Sequence, residues 1–527
     1  MARPLDVIII GSGFGGAITA RRLAEKGMNV LVLERGRRWD VPTYPRKAGD
    51  AWIYSPDRPE RHNGWLDMRF FKHMTVAQAA GVGGGSLTYS SVALEANPNV
   101  FTKGWPSEIT YAELKPYYDT VAKEMNLQVV PDGQLTRRFK VAREAAHNLG
   151  YDSRFSKANL AVSFSEDWNY DLPDAFDPKH SKPFVNQHGQ RQGTCIHLGN
   201  CDVGCDVRAK NSLDLNYIPR AEQKGADIRP LHLVRYIEPK DGQYRVVFDR
   251  IEDDKLVRGE ETAAQVIVAA GSVGTAELLL RCRDEYKTLP ALSPLLGMNW
   301  SPNANFISLG SYGKEKGRVG QSIGLAISSV LDFTDGSYKG QKFAIEDDGF
   351  PNVILNALKE YLDNELVSSV GNALLEGLER HLREDYALSD LMVWLGAGMD
   401  AANGKVHLKE HGLLKKKFEL DLDWDHEESR GVIDAISEMQ RELTRATAGR
   451  WFEPPTWSVF KNLLTLHPLG GCKMGVSRET GVVDHLGRVF GYPNLIVADG
   501  AILPTSTGRN PSHTIAALAE RIAANIT

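Results

Sequence analysis

The sequence predicts an α/β fold in which a doubly wound parallel sheet carries an inserted α+β lobe built on an antiparallel sheet. Three observations predict it. A strand, a glycine turn and a helix open the chain as one βαβ unit, and buried-strand patterns return at 265–270 and 494–497. Between about 284 and 455 the pattern changes to looser alternation with longer helical stretches. At 527 residues the chain exceeds one compact core, so two domains, or one with an insertion, are expected.

Taken in order, residues 7–10 read as a strand covered on both faces, and residues 17–26 as a helix of good helix formers closed by a left-handed Gly27. Residues 29–34 are the second strand. The stretch 42–72, rich in Trp, Tyr, Pro and Arg, has no period and reads as loops, followed by the glycine run at 81–85. The strand at 265–270 leads into a helix through Leu280. Within the lobe, 325–331 alternates like a strand and 428–446 reads as a helix; 511–526 is the final helix. The expected division places 1–40, 74–160, 190–283 and 456–527 in one discontinuous domain. Residues 41–73, 161–189 and 284–455 form the substrate lobe and its excursions.

Hydrophobic residues make up 42% and charged residues 24% of the chain, values of an ordinary globular protein. A net charge of -5 with scattered Lys and Arg offers no face for nucleic acid. No apolar run is long enough for a transmembrane helix, and the first strand begins too early for a secretory signal, so a cytoplasmic location is expected. Five cysteines, an odd number, do not make a disulfide framework.

Gly11, Gly13 and Gly16 fit G-x-G-x-x-G between a strand and a helix, the context that gives the motif meaning. Gly11 permits the turn, Gly13 lets backbone approach a pyrophosphate, and Gly16 lets helix and strand pack closely; the helix start adds partial positive charge. Glu34 ends the second strand where an acid hydrogen-bonds ribose hydroxyls and repels a 2'-phosphate. This is a Rossmann-like dinucleotide site, and the motif alone leaves NAD and FAD equally open.

The choice comes from a resemblance. With its fingerprint, Gly81-Val82-Gly83-Gly84-Gly85-Ser86-Leu87, Leu231-His232-Leu233-Val234, Ala269-Ala270-Gly271-Ser272, and the block from His467-Pro468-Leu469-Gly470-Gly471-Cys472 to Glu520, the chain resembles the glucose-methanol-choline (GMC) oxidoreductases, and among them the bacterial cholesterol oxidase branch. The resemblance implies FAD. It implies that Gly81, Gly83, Gly84, Gly85 and Ser86 bring bare backbone to the cofactor, that Val234 meets adenine through its backbone, and that Asp499, Gly500 and Thr514 complete the site. Asn510 and Pro511 read as the N-cap and first residue of the last helix, whose start is implied to face the flavin.

The resemblance also implies oxidation of an alcohol, with His467 taking or orienting the hydroxyl proton and Asn510 as its hydrogen-bonding partner. Glu346, in Phe343-Ala344-Ile345-Glu346-Asp347-Asp348, is the substrate-side carboxylate implied, in a register open by one residue; a solvated acidic turn is the other reading. A bulky or sterol-like secondary alcohol is favoured, with oxygen or another carrier as acceptor. Thr88-Tyr89-Ser90-Ser91 departs from the Asn-Gly pair of that branch. A non-steroid alcohol dehydrogenase, a flavin-bearing isomerase or lyase, and a flavin-binding module without activity are the alternatives. Cys195, Cys201 and Cys205, near His197, invite a metal, but their spacing fits neither common zinc sites nor a ferredoxin run, so a packed turn and no metal is the expectation.

Overall fold

The computed structural model describes residues 3–47, 49–313, 317–351, 390–412 and 417–527. Its first sheet runs Asp227–Arg229, Val30–Leu33, Leu5–Ile10, Lys255–Val268, Gln243–Glu252, His232–Lys240, with Leu495–Val497 also paired to Lys255–Val268. The long strand Lys255–Val268 serves two purposes. Its first part pairs antiparallel with Gln243–Glu252, and its last part lies parallel between Leu5–Ile10 and Leu495–Val497. The residues expected to be covered on both faces are so: Val7 through Ile10 and Val30 through Leu33 are all buried. Helices Phe14–Glu25 and Ser512–Ala524 pack on each other against this sheet.

The second sheet is antiparallel throughout, in the order Arg450–Phe452, Phe306–Ser311, Leu391–Gly398, Phe343–Asp348, Ser329–Asp332, Phe155–Lys157. Helix Arg430–Ala446 lies across it, burying Val432, Ile436, Met439 and Leu443 at helical spacing. Gly396 and Gly398 make room for it. A Cβ on Gly396 would sit 2.2 Å from Ile436 Cγ2, and one on Gly398 2.6 Å from Val432 Cγ2.

Three local expectations change. Residues 42–72 are not all loop: Leu66–Phe70 pairs with Met74–Ala79, which in turn pairs with Leu463–Thr465. Their alternation was hidden because the buried face holds Asp67, paired with Arg35 at 2.7 Å and Arg69 at 2.7 Å. Of the 325–331 run only the last three residues are strand, within Ser329–Asp332. Phe155–Lys157, from the stretch assigned to the cofactor domain, is an edge strand of the second sheet.

Candidate functional site

The first strand ends in a turn that no side chain caps. Helix Phe14–Glu25 starts after Gly13 with no side-chain cap, and its first intrahelical donor is the Ala17 amide, bonded to the Gly13 carbonyl at 2.8 Å. The amides before it are the orphan donors a phosphate uses. Gly16 packs as expected, since a Cβ there would lie 1.9 Å from the Gly11 carbonyl oxygen. The second glycine run meets the first backbone to backbone: Gly84, in the left-handed region at φ +51°, would put a Cβ 2.5 Å from Gly13 Cα. A Cβ on Gly85, by contrast, meets nothing within 4 Å. Two loops of bare backbone thus bound open space, with uncapped helix amides at one side, which is what a diphosphate and flavin require.

Ser12, not anticipated from sequence, joins these parts. Its amide and hydroxyl donate to Glu34 Oε2 at 3.0 and 2.8 Å, its hydroxyl oxygen accepts from the Gly83 amide at 3.1 Å, and Gly36 N–H donates to Glu34 Oε1 at 2.9 Å. Three donors leave the Glu34 carboxylate about one of its roughly four acceptor positions for a ribose hydroxyl. Glu34→Ala is therefore expected to lower the melting temperature of the apoprotein as well as FAD affinity, the latter about ten- to a hundredfold, since each hydrogen bond to a charged group is worth about 1.5–3 kcal/mol. Flavin fluorescence titration measures this, and unchanged affinity would remove Glu34 from the site.

Ser86 is buried and closes the second loop, donating to the Gly83 carbonyl at 2.7 Å and accepting from Leu213 N–H at 3.0 Å. Gly81 packs beside Trp39, and the Gly81 carbonyl accepts from Gly84 N–H at 2.9 Å. Val234 lies on His232–Lys240, the edge strand, beside a register shift at Val247/Phe248. Asp499 is spent within the protein: it accepts from Gly271 N–H at 2.8 Å, Thr275 Oγ1 at 2.5 Å and Ala501 N–H at 2.8 Å. Its neighbour Gly500 accepts from Gly470 N–H at 2.9 Å, tying the 470 turn to the strand end. Gly15, another residue the motif reading passed over, would drive a Cβ to 1.9 Å from the Ala498 carbonyl oxygen.

Asn510 is not a helix cap. The last helix is Ser512–Ala524 with Pro511 at its N-cap and no side-chain cap, and the Asn510 amide instead donates to Glu346 Oε2 at 3.2 Å. Thr514, fully buried, shares a hydrogen bond with Tyr118 Oη at 2.8 Å. The strand Phe343–Asp348 settles which acid faces Asn510. Glu346 pairs in register with Val330 and Leu395, while Asp347 turns to the other face and accepts from the amides and hydroxyls of Ser328 and Ser329. The acidic stretch is no solvated turn, since all of 343–348 is buried.

Among the described residues, Glu346 Oε1 and Asn510 Oδ1 are buried without partners. Burial pushes the Glu346 carboxyl up to about 8; the Asn510 bond opposes this, and the charges of Asp348 and Asp347 add to it. His467 is half-buried, and desolvation lowers its imidazole to about 4, so it is neutral at pH 7. Its Nδ1 lies 3.0 Å from Asn305 Nδ2. Asn305 was missed by sequence reasoning; the asparagines at 299, 303 and 305 around Pro302 were the available signal.

Cys195, Cys201 and Cys205 are free thiols; burial raises Cys201 to about 12 and pushes Cys195 well above its ordinary value. His197 is stacked on Trp168 and bonded to Tyr170 and Gln134. Among the described residues, the three potential metal-ligating side chains that do converge are His407, Asp421 and Asp423 on a separate hairpin. No described helix is long and apolar enough to cross a membrane.

Comparison with known proteins agrees with this geometry. The GMC oxidoreductase family matches at 185–283 and 400–519, and the FAD dependent oxidoreductase family at 6–44. A cholesterol oxidase of Acinetobacter baumannii is 29% identical over 98% of this chain and 93% of its own length. One of Mycobacterium tuberculosis (strain ATCC 25618 / H37Rv) is 29% identical, with 98% and 90% covered. Among solved structures, pyridoxine 4-oxidase from Mesorbium loti superposes with a TM-score of 0.63 at 17% identity, over 99% of this chain and 98% of that one, a likeness of fold. Residues 185–283 and 400–519 of this chain thus match GMC oxidoreductase domains, and the chain is an FAD-dependent oxidoreductase acting on alcohols.

Proposed function

We propose that the enzyme oxidises a bulky, sterol-like secondary alcohol to the ketone, with Glu346, His467 and Asn510 as its reacting side chains. The observation that carries this reading is the buried Glu346 carboxyl, in register to face Asn510 and with Oε1 without a partner among the described residues. Leaving such a group unsatisfied costs stability and has no structural return. The two cholesterol oxidases, similar over nearly the whole chain, support the substrate class.

Oxidising an alcohol removes the hydroxyl proton and a hydride from the adjacent carbon, and bound FAD supplies the hydride acceptor. Gly13, Gly84 and Gly85 would hold its diphosphate and flavin, Glu34 its ribose, Val234 its adenine. The residues of the chain handle the proton. Neutral His467 donates a hydrogen bond through Nε2 to the alcohol oxygen and fixes its direction. Glu346 in its ionised form accepts the hydroxyl proton on Oε1, while Asn510 holds Oε2. The amides at the start of Ser512–Ala524, before the first internal bond from Ile515 N–H to the Pro511 carbonyl at 2.9 Å, offer partial positive charge.

A polar, non-steroid alcohol is the second reading, favoured by Thr88–Ser91: Ser90 donates to Asp202 at 3.0 Å and the buried Ser91 hydroxyl has no partner among the described residues. An alcohol panel, with flavin bleaching followed first without oxygen and then with oxygen admitted, separates the two and identifies the acceptor. Bleaching by none of the alcohols would overturn both.

His467→Ala is expected to retain FAD and slow anaerobic flavin reduction about a hundredfold, the scale of a positioned proton-handling group. His467→Gln should keep part of the rate, because its amide still donates a hydrogen bond. Stopped-flow absorbance checks both, and an unaltered rate in His467→Ala would remove His467 from the chemistry.

A further inference from the structure

Arg509 stands directly before Asn510, and the two side chains reach the same sheet. Asn510 Nδ2 donates to Glu346 on Phe343–Asp348, while Arg509 Nη2 is bonded to Asp332 Oδ2 on the neighbouring strand Ser329–Asp332. The register puts both acids on one face. Val330 pairs with Glu346 and Asp332 with Ala344, so Asp332, two residues past Val330, projects to the side that carries Glu346. Asp348, two residues past Glu346, shares that side, and Asp347 does not.

Arg509 is held where it stands. Its Nη1 donates to the Glu95 carbonyl at 2.6 Å, and the other oxygen of Asp332 accepts from the amide and hydroxyl of Thr334 at 2.7 and 2.6 Å. The Thr334 hydroxyl accepts in turn from Asn97 Nδ2 at 3.1 Å, which ties the clamp to the Glu95 loop. On the far side of Asp332, Arg154 bonds its carbonyl at 3.1 Å and pairs with Asp335. Among the described residues, the Nε of Arg509 is buried without a partner. A guanidinium stays ionised at any working pH, so this one brings a fixed positive charge to the sheet face.

Glu346 has need of such a neighbour. Its ionised form is buried beside two further acids of its own strand, a setting in which a lone carboxylate is costly. Burial raises its carboxyl, the Asn510 bond lowers it, the charges of Asp348 and Asp347 raise it further, and the charge of Arg509 opposes them. Asp348 is itself pushed well above the ordinary carboxylate range by burial and the charge of Asp202, against its bond from Gly349 N–H and the charge of Arg138. His467 is neutral, and Asn510 offers only a dipole. We propose that Arg509 is a positioning residue whose guanidinium, clamped by Asp332 and the Glu95 carbonyl, is the counter-charge that stabilises the ionised Glu346 carboxylate, with Asp332 dividing that charge between the two acids. This rests on the role proposed above for Glu346, but its first test needs no substrate.

The test is urea unfolding of the holoenzyme from pH 4 to 10, for each protein and for the same protein carrying Glu346→Gln. The difference isolates the Glu346 titration and gives its midpoint in the folded state. Arg509→Gln should raise that midpoint by about one pH unit, a tenfold loss in the ionisation constant of the carboxyl. Arg509→Lys keeps the charge and should return most of the shift, and Asp332→Asn should move the midpoint the other way. With an alcohol that bleaches the flavin, the rising limb of anaerobic reduction should shift by the same amounts at unchanged FAD content, which a purely structural Arg509 does not produce. An unmoved midpoint in Arg509→Gln, or an equal shift in Arg509→Lys, would each overturn the proposal. If Arg509→Gln fails to fold, Asp332→Asn decides, an unmoved midpoint there overturning it. Shifted unfolding midpoints beside a reduction rate flat in pH would instead overturn the proposed function of Glu346 and leave the counter-charge standing.

Discussion

Glu346→Gln should slow anaerobic flavin reduction by roughly a hundred- to ten-thousandfold, the range for loss of a general base, while making the protein more stable at alkaline pH. Both effects come from one burial. The folded carboxyl titrates near 8 against an ordinary 4.5, so the native state holds a proton that the unfolded chain releases. Stability therefore falls as pH rises from about 4.5 to 8, by about 1.4 kcal/mol per unit when fully expressed. Glutamine keeps the bond from Asn510 and removes that penalty. The gain above pH 8 is expected on the order of 2–4 kcal/mol, vanishing below pH 4.5, where both states are protonated. In the parent enzyme the reduction rate should climb with pH through about 8, and this limb should be absent from the variant. Denaturant titrations at pH 5 and 9 with stopped-flow rates at each pH measure the pair; a parent rate flat across pH 7–9 would remove Glu346 as the proton acceptor.

Asp67→Ala is expected to destabilise the fold by about 3–5 kcal/mol, the cost of leaving a buried charge without its partner. Asp67 is fully buried between Arg35 and Arg69, which together hold its carboxyl below the usual range despite the burial. Arg35 also stacks over Tyr54, 4.6 Å from its ring centre. Removing the carboxylate strands the Arg35 guanidinium and leaves Arg69 only Glu277, 3.5 Å away, so the loss should appear in urea unfolding of the apoprotein and in FAD retention. Asp67→Asn, which keeps the shape and discards the charge, should lose most of the same stability. A change under about 0.5 kcal/mol, the scale of an ordinary surface site, would mean that solvent reaches the trio.

That trio also shows where the sequence could be read and where it could not. The glycine turn was legible because its packing is local: Gly11, Gly13, Gly16 and Glu34 lie within one βαβ unit, and spacing alone conveys the geometry. The hairpin Leu66–Phe70 was not, because a buried aspartate mimics a loop until its arginines are known. Asn510 before Pro511 has the local signature of a cap, yet its partner lies 164 positions away in another sheet. Asn305 carries no local signature at all. Its contacts with Leu466, Gly396 and His467 exist only where distant segments meet, and one sequence does not reveal such meetings.

The strand Leu495–Val497 completes a sheet begun at residue 5, and Arg22 is bonded to Glu520 across 498 positions at 2.7 Å. Such topology burdens the folding reaction more than the finished molecule. Contacts this remote demand chain closure before they yield any energy, so this sheet is expected to form slowly and late. Until then the far edge of Lys255–Val268 is an open row of backbone donors and acceptors beside apolar side chains, a template for wrong pairing between chains. Flavin, by binding only the closed form, shifts the competition toward it. Riboflavin supply during synthesis should therefore govern how much protein is recovered, rather than merely how much of it is yellow.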